Sequence, residues 1–266
     1  MILAAVMLLI SSCATLSSSG VERVKEYTVE SARLPRSFDG FRVAFISDTH
    51  YPSLFNHRRL HGLVSRLKEI NPDVLFLGGD YVADNDSVDV LFSALATVAP
   101  SYGTYAVLGN HERRNETIVE SSMRRHGITL LADSLVCLAN VKDSIYLIGV
   151  RDSFSSESIA MQSDVVLPPD AYLILLAHTP DYVERSGSVA DLAFSGHTHG
   201  GQVSLFGLYT PVKNTLYGTR FLRGLNSTTS GTPVITTTGV GTSRRKIRFC
   251  VPSEIVVVTL KSGKSE

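Results

Sequence analysis

The sequence predicts an α/β layered fold. Short apolar runs repeatedly end in polar, often glycine-containing corners, which fits strands buried on both faces. Segments of helical period separate the early runs. The half that follows Leu130 is richer in strands and turns. Strand, helix, strand, helix is the pattern of a layered α/β domain.

Taken in order, Met1 to Ile10 is an uninterrupted apolar run followed by Ser11, Ser12 and Cys13. Such a run is too short to span a bilayer, which needs roughly 20 residues, and it reads as the hydrophobic region of a signal peptide. Ile10-Ser11-Ser12-Cys13 resembles a bacterial lipobox, although no Lys or Arg precedes the run. The resemblance implies cleavage before Cys13, acylation of that residue and attachment to a membrane of the cell envelope. Residues 1–12 are therefore expected to be signal, 13–25 tether, and 26–266 one catalytic domain.

Tyr27 to Pro35 is expected as an edge strand. Five apolar runs follow: Arg42 to Ile46, Val74 to Leu77, Tyr105 to Leu108, Tyr172 to Ala177, and Leu192 to Phe194. Arg58 to Ile70 carries Leu60, Leu63, Val64 and Leu67 at helical spacing and stops at Asn71-Pro72. Val88 to Val98 and Thr117 to His126 read as helices as well. Pro233 to Thr238 and Glu254 to Leu260 read as late strands.

Composition narrows the function. With 25 basic and 25 acidic residues the formal net charge is zero, which gives no reason to expect a nucleic-acid partner. Three cysteines exclude a disulfide-built scaffold. Cys137 and Cys250 sit in apolar runs and are expected as buried free thiols.

The chemistry lies in the corners. The five runs end in Ser47-Asp48-Thr49-His50, Gly78-Gly79-Asp80, Gly109-Asn110-His111-Glu112, His178-Thr179-Pro180 and Gly196-His197-Thr198-His199. In open α/β sheets ligands bind beyond the carboxyl ends of the strands, so these corners are expected to converge. Five of the eight histidines in the chain lie in them. With no thiolate present, a closed structural zinc site is disfavoured. Mixed imidazole and oxygen donors suit Mn, Fe, Zn or Co, with Mn favoured. Asp48, His50, Asp80, Asn110, His178, His197 and His199 are too many donors for one catalytic ion. They suit two divalent ions if one carboxylate bridges, and Asp80, after two glycines on a central strand, is the natural bridge. Two such ions would attract a phosphate ester and generate hydroxide from water near neutral pH to attack phosphorus. His111, beside a ligand but not needed as one, is placed to protonate the leaving oxygen.

These motifs, in this order from residue 40 to 260, resemble the calcineurin-like metallophosphoesterase family. The resemblance implies a four-layer α/β/β/α sandwich with a dimetal site. It assigns Asp48, His50 and His199 to one metal and Asn110, His178 and His197 to the other. Asp80 would bridge them, with His111 as the catalytic imidazole. The ending Gly196 to Gln202 and the stretch Gly239 to Ile255 resemble one branch of secreted or membrane-associated phosphodiesterases. Some members of that branch cleave the pyrophosphate of a UDP-linked acylated sugar. A phosphodiester or pyrophosphate, lipid-linked or from the envelope, is the expected substrate.

Two departures bear on that substrate. Arg113-Arg114 stands where the branch commonly has aromatics, and these arginines are expected as exposed, solvated residues, with phosphate contacts as the other reading. Arg244 to Arg248 is a basic run expected as a solvated loop or a contact to an anionic membrane. Asp152 reads as a turn residue or as an orienting partner for a ligand histidine. His57 and His61, four apart on a helix, read as surface residues. A non-catalytic metal-binding scaffold, or a phosphatase acting on nucleotides or phosphoproteins, are the alternative readings.

Overall fold

A strand buried on both faces needs two cores, and the alternation of side chains along each strand serves both. The computed structural model describes residues 21, 23–151, 153–154, 167–187, 190–206, 208–244 and 246–263. Its strands and helices in chain order are β1 (Arg23–Ser31), β2 (Arg42–Ile46), α1 (His57–Ile70), β3 (Val74–Leu77), α2 (Val88–Ala96), β4 (Thr104–Ala106), α3 (Glu116–Arg125), β5 (Ile128–Leu130), β6 (Ser134–Ala139), β7 (Ser144–Gly149), β8 (Leu173–Leu176), α4 (Pro180–Arg185), β9 (Leu192–Ser195), β10 (Gly224–Ser227), β11 (Pro233–Thr236) and β12 (Glu254–Ser262).

The strands form two six-stranded sheets, ordered β1-β12-β2-β3-β4-β5 and β10-β11-β9-β8-β7-β6. β2 to β5 run parallel, as do β7, β8, β9 and β11. Alternation sorts their side chains. Val43, Phe45, Val74 and Phe76 face the other sheet and meet Leu147, Ile174, Leu176 and Phe194. Ala44, Ile46, Leu75 and Leu77 turn outward onto Leu60, Leu63, Leu67, Leu91 and Phe92 of α1 and α2. On the far side Leu175, Ala177 and Ala193 pack on Tyr182 and Val183 of α4. Helix, sheet, sheet and helix make the four-layer α/β/β/α sandwich.

Helix ends follow their sequence signals. Asn56 caps α1 by accepting from the Arg59 amide at 3.1 Å, and Asn71 ends it in a left-handed conformation before Pro72. Thr179 caps α4, with Pro180 at its first position.

Several expectations shift. The first strand begins at Arg23, so the sheet extends into the stretch read as tether. Full-length parallel pairing with β12, from Arg23 opposite Glu254, recruits those residues. β4 ends at Ala106, because Val107 leaves the ladder while its amide still bonds the Leu77 carbonyl at 3.0 Å. Neither described cysteine is buried: Cys137 is exposed and Cys250 partly so, and the two are not bridged to each other. Cys137 lies on edge strand β6, where Leu138 takes the inward position and Cys137 the solvent face. Cys13 and Asp152 lie outside the described residues. Among the described residues no helix is long and apolar enough to cross a membrane.

Candidate metal centre

The corners after β2, β3, β4, β8 and β9 meet at one place. Five donors there, Asp48, His50, Asp80, His197 and His199, have φ between 43° and 67°. Left-handed backbone is costly for residues with a Cβ, on the order of 1–2 kcal/mol each, and such strain clusters at functional sites. Turning sharply at each strand end is what aims these side chains at a common volume. Two glycines permit the crowding. A Cβ on Gly79, itself at φ 96°, would sit 2.6 Å from the Gly109 amide nitrogen and 2.7 Å from His178 Nδ1. A Cβ on Gly109 would overlap Asp80 Oδ1.

Asp80 stands between two groups of donors. Its Oδ1 is 3.5 Å from His178 Nε2 and its Oδ2 is 3.7 Å from His50 Nε2. On one side His50, Asp48 and His199 converge, with His50 Nε2 to His199 Nε2 at 3.1 Å and His199 Nε2 to Asp48 Oδ1 at 3.4 Å. On the other side Asp80, His178 and His197 bring their ligand atoms within 4.8 Å of one another. His111 Nε2 lies 3.9 Å from Asp80 Oδ2, and its ring packs edge-on to His50. Its side chain is 42% exposed, against 5% for His50 and 2% for His199, so it opens to solvent where those two rings do not.

The unpaired atoms test whether cations fit here. Asn110 Oδ1, His178 Nε2 and His197 Nδ1 are buried without a hydrogen-bond partner, a costly arrangement unless another ligand satisfies them. His178 Nδ1 donates to the Gly78 carbonyl at 2.6 Å, which fixes the tautomer and leaves the Nε2 lone pair facing Asp80. Two groups of nitrogen and oxygen donors sharing one carboxylate fit two divalent ions.

Electrostatics agree with that use. Burial pushes His50 down to about 4 and His197 to about 3, and drives His199 well below its ordinary value, so these three rings are neutral at pH 7. Burial opposes charge on His178 too, but Asp80 and Asp48 overcome it and raise this ring to about 9. Burial would likewise raise Asp80, yet His178, His50 and His111 hold its carboxyl below the usual carboxylate range. Burial raises Asp48. A cation held by His178 would replace the proton at Nε2, the atom that faces Asp80.

Three positions acquire roles that the sequence reading did not assign. Glu112 is fully buried and accepts from the amides of Asp80 at 2.9 Å, Tyr81 at 2.8 Å and Gly109 at 2.8 Å. It ties the β3 corner to the β4 corner. Its signal was the last letter of Gly-Asn-His-Glu. Phe154 packs edge-on to His197 at 4.9 Å between centroids, and Arg113 lies 5.3 Å over the same ring. The third is Arg248, expected with Arg244, Arg245 and Lys246 in a solvated run but 3% exposed. It donates to the carbonyls of Thr238 at 2.7 Å, Gly241 at 2.6 Å and Val251 at 3.3 Å. The turn after β11 presents the Thr238 and Gly241 carbonyls to it, and that turn braces the Asp48 corner through Val240 N to Ser47 O at 3.1 Å and Gly241 N to Asp48 O at 2.8 Å.

Arg113 and Arg114 line a cavity of about 750 Å³ together with Asn110 and His111. His57 and His61 are exposed on α1 with their Nε2 atoms 3.0 Å apart, and among the described residues no third His, Cys, Asp or Glu completes a cluster with them.

Residues 41–201 match the calcineurin-like phosphoesterase family. A metallophosphoesterase of Aquifex aeolicus is 30% identical over 252 residues, spanning 90% of this chain and 92% of its own. The phosphodiesterase YaeI of Escherichia coli is 32% identical over 216 residues, 76% of this chain and 75% of its own. The UDP-2,3-diacylglucosamine pyrophosphatase LpxG of Chlamydia trachomatis is 25% identical over 283 residues, 85% of this chain and 86% of its own. Family match, relatives and the two donor groups around Asp80 lead to one conclusion: the chain belongs to the calcineurin-like phosphoesterase family and is a metal-dependent phosphoric ester hydrolase.

Proposed function

We propose that the chain hydrolyses a phosphodiester or pyrophosphate, one of whose substituents is apolar, as in a lipid-linked substrate. The observation that carries this reading is the space around the donors. A cavity of about 660 Å³ opens beside His199 and another of about 590 Å³ beside His197. Room beside both groups of donors suits an ester with two substituents; a monoester has one. The first cavity is lined in part by Val203, Pro211, Val212 and Ile247, which suits an apolar group. The names of the relatives YaeI and LpxG, a phosphodiesterase and a pyrophosphatase, lean the same way.

In this reading Asp48, His50 and His199 hold one divalent ion, Asn110, His178 and His197 hold the second, and Asp80 serves both. Mn is favoured by the mixed nitrogen and oxygen donors. When bound, the two ions lower the pKa of water and neutralise charge on the phosphoryl oxygens. The chain's own residues do the rest. Glu112 holds Asp80 in place through two corner amides. His111 faces the open cavity and delivers a proton to the leaving oxygen, a contribution of roughly 10²- to 10⁴-fold. Arg113, propped on Phe154, and Arg114 grip non-reacting phosphate oxygens.

The test is hydrolysis of an aryl phosphodiester by the Mn-loaded protein, with lipid pyrophosphates, cyclic nucleotides and phosphopeptides as competitors. Asp80→Ala and His197→Ala are expected to abolish turnover while circular dichroism stays native, with the lipid pyrophosphate competing best. Full activity of Asp80→Ala after chelation would end the reading, and stronger competition by phosphopeptides or cyclic nucleotides would move the substrate class.

A further inference from the structure

Apolar side chains left in water are unevenly distributed on this molecule. Twelve large apolar residues are exposed among the described residues, and seven of them, Leu205, Phe206, Leu208, Tyr209, Val212, Leu216 and Ile247, fall in the stretch 205–216 and on the neighbouring loop. Leu208 is 91% and Leu216 75% exposed. Exposed apolar side chains gathered in one stretch of chain, rather than scattered singly, mark an interaction surface.

The backbone presents this patch rather than folding it away. Leu205 and Tyr209 pair antiparallel, with Leu205 N to Tyr209 O at 2.7 Å, which holds the two side by side. The stretch is pinned to the 247–249 loop by Ser204 N to Phe249 O at 2.9 Å and by the Phe206–Phe249 ring contact. The inner side of the same segment forms wall of both cavities at the donor site. Val212 and Ile247 line the His199 cavity, and Lys213 and Leu216 line the His197 cavity.

Charge decides what the patch meets. Between Asp191 and Glu254 the chain has no Asp or Glu and carries seven Lys or Arg, in a protein whose overall charge is zero. Of these, Lys213, Arg244 and Lys246 are exposed beside the apolar residues. A second copy of the chain docking by a two-fold axis would set these cations against their own equivalents. Protein-interface cores are depleted in Lys as well. An apolar stretch with exposed cations on the adjoining segments, and with the facing Asp181 already engaged by Thr215 Oγ1 and Leu216 N, matches the layering of an anionic bilayer surface: headgroup charge outside and acyl chains beneath.

We propose that the 205–216 segment and Ile247 form a docking surface for an anionic phospholipid bilayer. Leu205, Phe206, Leu208 and Tyr209 enter the boundary between headgroups and acyl chains. Lys213, Arg244 and Lys246 meet lipid phosphates, and the mouth of the phosphoesterase site faces the interface. The surface belongs to the catalytic domain itself and needs no anchor at the N-terminus. It rests on the phosphoester reading only for what the docked site would encounter, and docking is measured without turnover.

The chain contains no tryptophan, so a single introduced one reports its own surroundings. Full-length Leu208→Trp is mixed with phosphatidylglycerol/phosphatidylcholine vesicles whose acyl chains are brominated. Val141→Trp, at a fully exposed turn beyond β6, is the control, and Leu216→Trp is a second reporter on the patch. Emission from residue 208 is expected to shift to the blue and be quenched, and emission from residue 141 to stay unchanged. Arg244→Glu with Lys246→Glu in the Leu208→Trp chain is expected to lower vesicle partition on the order of thirtyfold or more at low salt. Hydrolysis of a soluble aryl phosphodiester by Leu208→Trp should equal that of the parent, which shows that the fold is intact. Unchanged emission from both 208 and 216, or equal quenching at 141, overturns the proposal. So does a blue shift that grows with protein concentration without vesicles, which would assign the patch to a second copy. An inactive parent that still shows quenching at 208 would sink the hydrolytic reading and leave the docking surface standing.

Discussion

Glu112 shows how one buried carboxylate can organise a site it does not enter. Its oxygens accept the amides of Asp80, Tyr81 and Gly109, so two strand ends are clamped at fixed separation. Replacing it with Gln leaves one acceptor oxygen and turns an amide N–H₂ toward backbone donors. Glu112→Gln is expected to lose about 1–3 kcal/mol of stability and to weaken Mn binding, since Asp80 loses its fixed position. Thermal unfolding with and without Mn, together with calorimetric titration of the metal, checks this; unchanged Mn affinity would show that Glu112 does not position Asp80. The side chains that converge at the strand ends were legible in the sequence because Asp, Asn and His directly after apolar runs have few structural reasons to be there. Glu112 was not legible, because its partners Asp80 and Tyr81 lie about thirty positions upstream and only the fold brings their amides to it.

At the scale of elements, the turn after β11 acts as a brace. Gly239 and Gly241 allow it to lie against Asp48 and Thr49, where a Cβ on Gly239 would come within 2.9 Å of Asp48 Cβ. Arg248 then gathers the turn's carbonyls on one guanidinium. Arg248→Met keeps the length of the side chain and removes every donor, leaving several buried carbonyls unpaired. A loss of about 3 kcal/mol is expected, read as a lower urea midpoint with an unchanged slope. Arg248→Lys should recover only part of it, since an ammonium cannot reproduce the planar fork. A midpoint within error of the parent for Arg248→Met would show the brace to be dispensable. In the sequence this residue was one member of a basic run, and nothing in local pattern separates Arg248, buried, from Arg244 and Lys246, exposed. The strands and helices themselves were readable to within a few residues. Their ends moved where pairing partners, such as β12 opposite Arg23, set the limit.

For the molecule as a whole, the two sheets must be held face to face for corners from both to share one volume. Phe194 does much of this, with its ring centroid 5.3 Å from that of Phe45 and 5.4 Å from that of Phe76 across the middle layer. Phe194→Ala is expected to cost about 3–5 kcal/mol and to lower Tm by on the order of 10 °C. It should also weaken binding of both ions together, since Asp48, His50 and Asp80 stand on one sheet and His178, His197 and His199 on the other. A differential scanning trace with and without Mn reads both effects, and an unchanged Tm would refute the role given to the ring. The amino-acid order was enough to point to the class of fold, to the polar side chains that meet at the strand ends and to a place for metal, because each is written locally: an apolar run, a sharp turn, a polar side chain. The distances between donors on the two sheets, the burial of Glu112 and Arg248, and the exposed apolar segment beside the site came from packing. Those depend on which distant surfaces meet, and one-dimensional periodicity carries no record of that.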